Sequence, residues 1–296
     1  IDDSSYFFIA NEMAIDDSLG LGEFRGNALY RSKDSLSFDL IANNIKTNRK
    51  KDILLATELP TLMIKQPKDT LYISADTLYS GRLTDLKRKV PKVRAIEGTL
   101  KDSSLNKYFE AFHHVKIYSD SMQGVADSLF YGLADSTIRL HHQPILWVNE
   151  NQIAGDTIYM HLNNKKAEQL RVLNNALAIS PIDSTDYFNQ LKGNSMVVDF
   201  IDGKIHQMQT KGNAENIYFA TDNEQKFIGV NHSNAQIITI DFNNDEPVKI
   251  VFINQLTGKM TPLFETPKEE LKLTNFKWWI DRKPKTKFDI LSPKGN

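Results

Sequence analysis

Two short phrases recur along the chain, and their repetition restricts the fold more than any other feature. The first is a small residue followed by Asp or Asn, as at Ala126-Asp127 and Gly155-Asp156. The second carries His113-His114 in one copy and His142-Gln143 in the next. Both advance by 29 residues, since 156 − 127 and 142 − 113 give the same offset. The sequence therefore predicts repeated structural units stacked along the chain.

Apolar residues follow the first phrase at alternating positions. After Asp156, for example, the residues two and four positions later are Ile158 and Met160. This period is typical of a strand with one buried and one exposed side, and turn sequences such as Asp202-Gly203 separate the strands. The pattern predicts an all-β chain. The copies of the first phrase are Ala10-Asn11, Ala42-Asn43, Ala75-Asp76, Ala126-Asp127, Gly155-Asp156, Gly193-Asn194 and a degenerate Asn234-Ala235. Those of the second are Gly26-Asn27-Ala28, Glu58-Leu59-Pro60, His113-His114-Val115, His142-Gln143-Pro144, Asn174-Asn175-Ala176, Gly212-Asn213-Ala214 and a degenerate Leu256-Thr257-Gly258.

Two stretches interrupt the repeat and set the predicted domain organisation. We predict a repeat-built β domain over residues 1–263, with a basic loop insert at 80–106, and a C-terminal cap or tail over 264–296. The insert is interpreted as a solvated surface loop, with anion binding as the alternative. The tail has the pattern of a helix start from Thr266. Its Trp278-Trp279 pair is expected to cap the last repeat.

Charge and composition exclude several classes of function. The 36 Lys and Arg residues against 37 Asp and Glu give a net charge of −1, so no bulk electrostatic attraction to nucleic acid or to an anionic membrane is expected. No run reaches the roughly 18 apolar residues of a membrane helix. The chain has 0 Cys residues, which excludes thiol chemistry. Because it opens at Ile1 without a leader pattern, we interpret it as a soluble, trimmed product.

Stacked repeats with one apolar side each would surround a long interior, which can be packed dry or left open as a slot. Methionine in that interior suits a surface that accepts varied chain conformations. An ordinary core is the alternative interpretation. If the interior is open, the expected groove lining is Leu78, Leu129, Tyr131, Ile158, Met160, Leu162, Met196, Val198 and Phe200.

The histidines and aspartates of the repeat could suggest a metal or catalytic site. Adjacent histidines on a strand point to opposite faces, so at most one of each pair can face a given ion. Asn replaces Asp at positions 11, 43 and 194, and Asn cannot act as a general acid or base. We therefore predict a binder with no catalytic residues, no metal and no cofactor. The alternatives are a structural or adhesive β-solenoid with a dry core and a metal-dependent hydrolase.

The order and number of these phrases resemble the OstA/LptA-like family and, more narrowly, the OstA-like proteins of the Bacteroidetes. The similarity covers most of residues 10–263. It is carried by Gly26-Asn27-Ala28, Tyr108-Phe109-Glu110-Ala111-Phe112-His113-His114-Val115, Gln123-Gly124-Val125-Ala126-Asp127-Ser128, Ile153-Ala154-Gly155-Asp156-Thr157-Ile158-Tyr159, Gly212-Asn213-Ala214 and Leu256-Thr257-Gly258-Lys259-Met260-Thr261-Pro262-Leu263.

The resemblance implies a periplasmic β-jelly-roll of stacked antiparallel strands that form a twisted, V-shaped groove. It implies a non-enzymatic carrier of lipopolysaccharide from the inner to the outer membrane, with the lipid A acyl chains inside the groove and the sugars and phosphates outside. End-to-end strand addition, with itself or with other jelly-roll proteins of a transport bridge, is implied as well. For the phosphates we predict contacts from Lys87, Arg88 and Lys89. The basic insert and the tryptophan-containing tail depart from the family pattern.

Overall fold

The computed structural model describes residues 1–2, 6–33, 38–65, 69–86, 105–182, 185–222, 224, 226–244 and 246–291. Strands make up most of this part of the chain. The first eleven strands are β1 (Tyr6–Ile9), β2 (Glu12–Asp16), β3 (Leu21–Ser32), β4 (Phe38–Asn48), β5 (Ile53–Thr57), β6 (Thr61–Lys65), β7 (Thr70–Ser74), β8 (Thr77–Gly81), β9 (Tyr108–Tyr118), β10 (Met122–Gly132) and β11 (Thr137–His141). They are followed by β12 (Ile145–Val148), β13 (Asn151–Ala154), β14 (Thr157–Asn163), β15 (Lys166–Pro181), β16 (Phe188–Ile201), β17 (Lys204–Thr221), β18 (Phe227–Asn243), β19 (Glu246–Ile253) and β20 (Thr257–Thr261). Among these described residues, helical structure is limited to 3-10 turns at Leu83–Asp85, Leu263–Glu265, Lys268–Leu271 and Ile280–Arg282 and to the short helix α1 (Phe288–Leu291).

The chain divides into two compact units. Unit 1 contains Ile1–His142, His161–Lys166 and the residues from Pro284 onward, and unit 2 contains Gln143–Met160 and Ala167–Lys283. The predicted division at residue 263 stays a prediction. Residues 80 and 81 of the predicted insert are the end of β8, whereas Lys87, Arg88 and Lys89 lie outside the described residues.

In unit 1, each long strand pairs with two different short strands, one along each half of its length. β3 is antiparallel to β2 over Leu21–Arg25 and to β1 over Leu29–Ser32. β4 divides in the same way between β5 and β6, and β9 between β8 and β7. β10 and β11 continue the ladder from β9. Each of these long strands therefore bends near its middle and pairs with a different short strand on either side of the bend.

Unit 2 is an antiparallel ladder in the order β12, β13, β15, β16, β17 and β18. At its end β18 divides between β19 and β20. Long strands that bend and pair antiparallel on both sides of the bend are the jelly-roll pattern. The structure confirms the predicted fold class, an all-β jelly-roll of stacked antiparallel strands.

Each bend is a pair of consecutive residues with positive φ, a left-handed conformation that Gly, Asn and His tolerate better than most residues. His113 and His114 (φ 60° and 51°), for example, lie opposite the single residue Asp127, which makes the bend a bulge. On the other side of the same bend, the Asp76 N–H donates to the His113 carbonyl at 3.0 Å. The two recurring phrases are therefore the two sides of one corner. The corner pairs are Gly26-Asn27, Glu58-Leu59, His113-His114, His142-Gln143, Asn174-Asn175, Gly212-Asn213 and Asn254-Gln255.

The two degenerate copies were predicted in the wrong register. The last corner is formed by Asn254-Gln255, not by Leu256-Thr257-Gly258. Its partner is the pair Ala235-Gln236 rather than Asn234-Ala235, because the Gln236 N–H donates to the Asn254 carbonyl at 3.0 Å. Burial follows this register, since Ile238, two residues after Gln236, is 0% exposed. Gln236 occupies the position that Asp or Asn holds in the other copies, so the small-then-Asp/Asn pattern does not recognise this copy.

The helix predicted from Thr266 is also wrong. Only the 3-10 turn Lys268–Leu271 forms there, and the segment then continues without regular structure. Leu271 and Leu273 both pack against the core of unit 2, and a two-residue spacing on one side requires an extended backbone rather than a helix.

Candidate functional site

Unit 1 contains a cavity of about 510 Å³, which is in the size range of small-ligand sites. It is surrounded by residues of β1 to β5, with Ser80 and Lys107 from further along the chain. Its apolar lining consists of Ile1, Tyr6, Phe8, Ile15, Leu21, Phe24, Tyr30, Phe38, Ile53 and Leu54.

A row of aromatic rings forms one side of this cavity. Phe8 and Phe24 stack with ring centroids 4.0 Å apart and an interplanar angle of 5°. Tyr30 lies 4.9 Å from Phe8 and 5.5 Å from Phe38. The strand register explains the row, because Phe8 pairs directly with Tyr30 across β1 and β3, and Phe24 and Tyr30 lie on either side of the corner Gly26-Asn27. These rings offer a guest apolar surface with little hydrogen-bonding capacity.

The mouth of the cavity exposes apolar side chains to water. Ile15 is 46% exposed, Leu21 is 41% exposed and Ile1 is 44% exposed, and all three line the cavity. The repeat pattern predicts that Met13 and Ile15, two and four residues after Asn11, are buried. This prediction is wrong for the first copy, because both side chains are exposed. β2 pairs with β3, and all five of its residues are exposed. A group of exposed apolar residues at an opening is typical of a binding site.

Charged side chains lie at the rim of the same cavity. Arg49 forms an ion pair with Asp17, and hydrogen bonds from its guanidinium to Tyr6 and Asp17 raise the Arg49 pKa. Lys107 Nζ lies 3.5 Å from the Asp52 carboxylate. The site therefore combines an apolar interior with cationic and anionic groups at its opening, which suits an amphiphilic guest.

All nine residues predicted to line a groove are buried. Leu78 and Leu129 border a small second cavity of about 10 Å³ in unit 1, which is about the lower limit for holding one water molecule. None of the nine borders the large cavity. Whether a guest reaches them stays a prediction. Their exposed fractions are Leu78 5%, Leu129 3%, Tyr131 6%, Ile158 0%, Met160 0%, Leu162 5%, Met196 1%, Val198 0% and Phe200 9%.

Among the nine side chains of the predicted groove lining, only Tyr131 has a hydroxyl group. Burial raises the pKa of Tyr131 to about 12, with a smaller contribution from the negative charge of Asp135. The phenol is therefore neutral at physiological pH, and the side chain adds no charge to the interior of unit 1.

The sequence pattern missed the residues that do border the large cavity. The predicted lining depends on the distance from the Asp or Asn of the first phrase, and Phe8, Phe24, Tyr30 and Phe38 do not have that spacing. The density of aromatic residues in the first 40 positions was a signal that could have identified them.

The corner histidines and aspartates pair with one another at the protein surface. His114 Nδ1 lies 2.7 Å from an Asp76 carboxylate oxygen, and His113 Nδ1 lies 3.2 Å from Asp127. Asn175 donates to Asp156 in the equivalent place. These contacts join the two sides of a corner, which explains why Asn can replace Asp there. In the part of the chain that the structure describes, no group of three or more His, Cys, Asp and Glu residues could hold a metal ion.

The same described residues include no helix that is long and apolar enough to span a bilayer. No protein-family model matches the sequence, and no curated protein matches it. Among solved structures, the chain is similar to LptH, the LptA homologous periplasmic component of the conserved lipopolysaccharide transport device from Pseudomonas aeruginosa. That match covers 55% of this chain and 79% of LptH, at 12% identity and a TM-score of 0.23. A similarity of this size does not assign a function.

Proposed function

We propose that this chain is a periplasmic lipid-binding protein that carries or bridges lipopolysaccharide from the inner to the outer membrane. In this proposal the acyl chains of lipid A occupy apolar space inside the jelly-roll and the protein is not an enzyme. The observation that carries the proposal is the cavity of about 510 Å³ in unit 1, with its aromatic side, its exposed apolar mouth and its charged rim.

The energetics of lipid transfer favour such a cavity. Each methylene group removed from water contributes about 0.8 kcal/mol, so an acyl chain of a dozen methylenes would cost on the order of 10 kcal/mol to expose. The apolar side chains that border the cavity, such as Phe8, Ile15 and Leu21, would contact the acyl chain and offset this cost.

The rim supports an anionic head group at the mouth. Arg49 and Lys107 are cations at the cavity opening, and a phosphate there could replace Asp17 or Asp52 as their partner. Lys87, Arg88 and Lys89 remain candidates for further phosphate contacts. We also propose that the protein joins other jelly-roll proteins, or a second copy of itself, by strand addition at the ends of the ladder.

Site-specific photocrosslinking in cells tests the proposal. A photoreactive residue at Tyr30, inside the cavity, should trap lipopolysaccharide, whereas one at Arg25 on the same strand should not, because the Arg25 side chain is 59% exposed and does not border the cavity. Equal trapping at both positions, or trapping at neither, would contradict the proposal. The same experiment at Ile158 and Met160, with Thr157 and Tyr159 as controls, tests the predicted groove lining.

A structural or adhesive β-solenoid is the second candidate. The observation that favours it is the dense packing of much of the interior, where Ile158, Met160 and Val198 are 0% exposed. Purified protein that carries no lipid and takes up no hydrocarbon would support this alternative over the carrier.

A further inference from the structure

Two buried glutamines of unit 2 hold a segment near the C-terminus, residues 263–279, which we name the strap. Gln152 Nε2 donates to the Lys277 carbonyl at 2.7 Å, and the Trp279 N–H donates back to Gln152 Oε1 at 2.7 Å. Gln190 makes the same pair of bonds to the Leu271 carbonyl and the Leu273 N–H, both at 2.8 Å. Gln152 is 0% exposed and Gln190 is 3% exposed. Both contacts are therefore made inside the unit rather than at its surface.

The spacing of the two glutamines follows the repeat. They are 190 − 152 = 38 residues apart, the same as the offset of 194 − 156 between the corner residues Asp156 and Asn194. Each side-chain amide binds the carbonyl of one strap residue and the N–H of the residue two positions later. This geometry recognises an extended backbone and not a particular side chain, so the repeat supplies two equivalent binding points for an extended chain.

The side chains of the strap complete an apolar cluster of unit 2. Leu273 is 4% exposed and packs with Leu177, Ile179 and Phe219. Phe276 and Trp278 lie on Phe188, with ring centroids 5.2 and 5.3 Å apart. The remaining members of the cluster and its partly buried neighbours are Ile217, Val230, Ile182, Tyr187, Phe227, Leu263 and Leu271.

The strap contributes no strand to the described ladder of unit 2. Within the described residues, its regular structure is limited to the 3-10 turns Leu263–Glu265 and Lys268–Leu271. The pairings from β12 to β20 are made without it. Its removal from the cluster would therefore leave the strand pairing of unit 2 intact and expose apolar side chains.

Among the described residues of unit 1, the apolar space at the cavity is left open. There, aromatic and aliphatic residues of the jelly-roll surround an open cavity, whereas the cluster around Phe219 in unit 2 is filled by Leu273, Phe276 and Trp278. We propose that the strap occupies a second acyl-chain site in unit 2, and that a hydrocarbon chain competes with the strap for it. This inference rests on the proposed function, because it takes hydrocarbon as the guest of the open cavity in unit 1.

The number of hydrocarbon chains bound per protein tests the inference. The full-length double variant Leu273→Ser, Phe276→Ser weakens the hold of the strap on the cluster. Phe264→Ser is the matched control, because Phe264 belongs to the same strap but is 87% exposed. At a tetradecanoate concentration that gives one bound chain on the wild type, native mass spectrometry should count one chain on the control and two on the double variant.

The outcomes separate the two proposals. If neither protein binds tetradecanoate, the proposed function fails. If the wild type binds one chain and the folded double variant also binds one, the function stands and the strap inference is overturned.

A measurement on the unaltered protein covers the case in which the double variant does not fold. The N–H groups of Leu273 and Trp279, which donate to Gln190 and Gln152, should exchange with deuterium at least tenfold faster when the wild type is saturated with tetradecanoate. A second bound chain with unchanged exchange at these two positions would overturn the inference, as would saturation at a single chain.

Discussion

Asp39 in β4 shows how a polar residue is accommodated in the densely packed part of unit 1. It is 5% exposed and accepts hydrogen bonds from Arg31 Nε and Nη2, both at 2.9 Å, while Lys65 Nζ lies 3.1 Å away. Burial alone would raise the Asp39 pKa, but the hydrogen bonds from Arg31 and Lys65 outweigh it, so the pKa lies below the usual value. The carboxylate is thus stabilised in its charged form by folding.

The pH dependence of stability follows from this lowered pKa. A carboxyl with a lower pKa in the folded state contributes stability above its unfolded pKa, and loses that contribution as the pH falls through the folded value. We expect Asp39→Asn to lower the free energy of unfolding by about 1–3 kcal/mol at neutral pH and by much less near pH 2. Urea unfolding at both pH values measures the difference. An equal loss at both would contradict the ionic role of Asp39, and Asp202→Asn, at an exposed turn, is the control.

The alternation rule predicted burial well for residues such as Ile158, Met160 and Val198, because it depends only on the period of a strand. It could not predict that Asp39 would be buried with Arg31 and Lys65, since their contact depends on the register between β3, β4 and β6. Sequence spacing contains no direct information on that register.

At the scale of the element, the corner decides how strands bend. Its second position is held by Asn27, Asn175 and Asn213 in three copies, and by Leu59 in another. Leu59 has φ 66° and is 46% exposed, so its side chain gains little from burial and strains the left-handed backbone. The corner at Glu58-Leu59 is therefore a weak copy of the element.

Replacing Leu59 by the residue that other corners use should stabilise unit 1. We expect Leu59→Asn to raise the free energy of unfolding by up to about 1 kcal/mol, because Asn adopts positive φ at lower cost. Asn213→Leu in unit 2, at an exposed position with φ 48°, should cost a similar amount. Thermal and urea unfolding of both variants measure the changes. Leu59→Asn with a lower stability than the wild type would show that Leu59 packs usefully.

The two phrases and their spacing are visible in the sequence, but their contact at the corner is not. His113 and Asp76 face each other only because the chain turns left-handed twice at the corner, and tolerance of positive φ was not part of the pattern that identified them. The last corner was misplaced because Gln236 carries an amide one methylene longer than Asn. The tail was misread as helical because local capping signals at Pro267 do not include the long-range bonds from Gln152 and Gln190.

At the scale of the whole molecule, the two units differ in how their apolar interiors are closed. Unit 1 leaves a cavity with an exposed apolar mouth, and unit 2 covers its cluster with the strap. A ligand that binds only the folded state stabilises the unit that holds it, by about 2.7 kcal/mol at a concentration 100 times its dissociation constant. Hydrocarbon binding should therefore stabilise the two units unequally.

Hydrogen exchange resolves this difference by strand. With tetradecanoate at about 100 times its dissociation constant for the unit 1 cavity, and with only one chain bound per protein, backbone amides of β3 and β4 that exchange through unfolding of unit 1 should slow by about 100-fold. Amides of β16 and β17 in unit 2 should change much less while the strap stays bound, because no acyl chain has entered their unit.

Ile15→Gln at the cavity mouth should reduce the protection of β3. Met13→Gln, on the same strand and similarly exposed but away from the cavity, should not. Equal protection of both units would place the hydrocarbon elsewhere than in the unit 1 cavity.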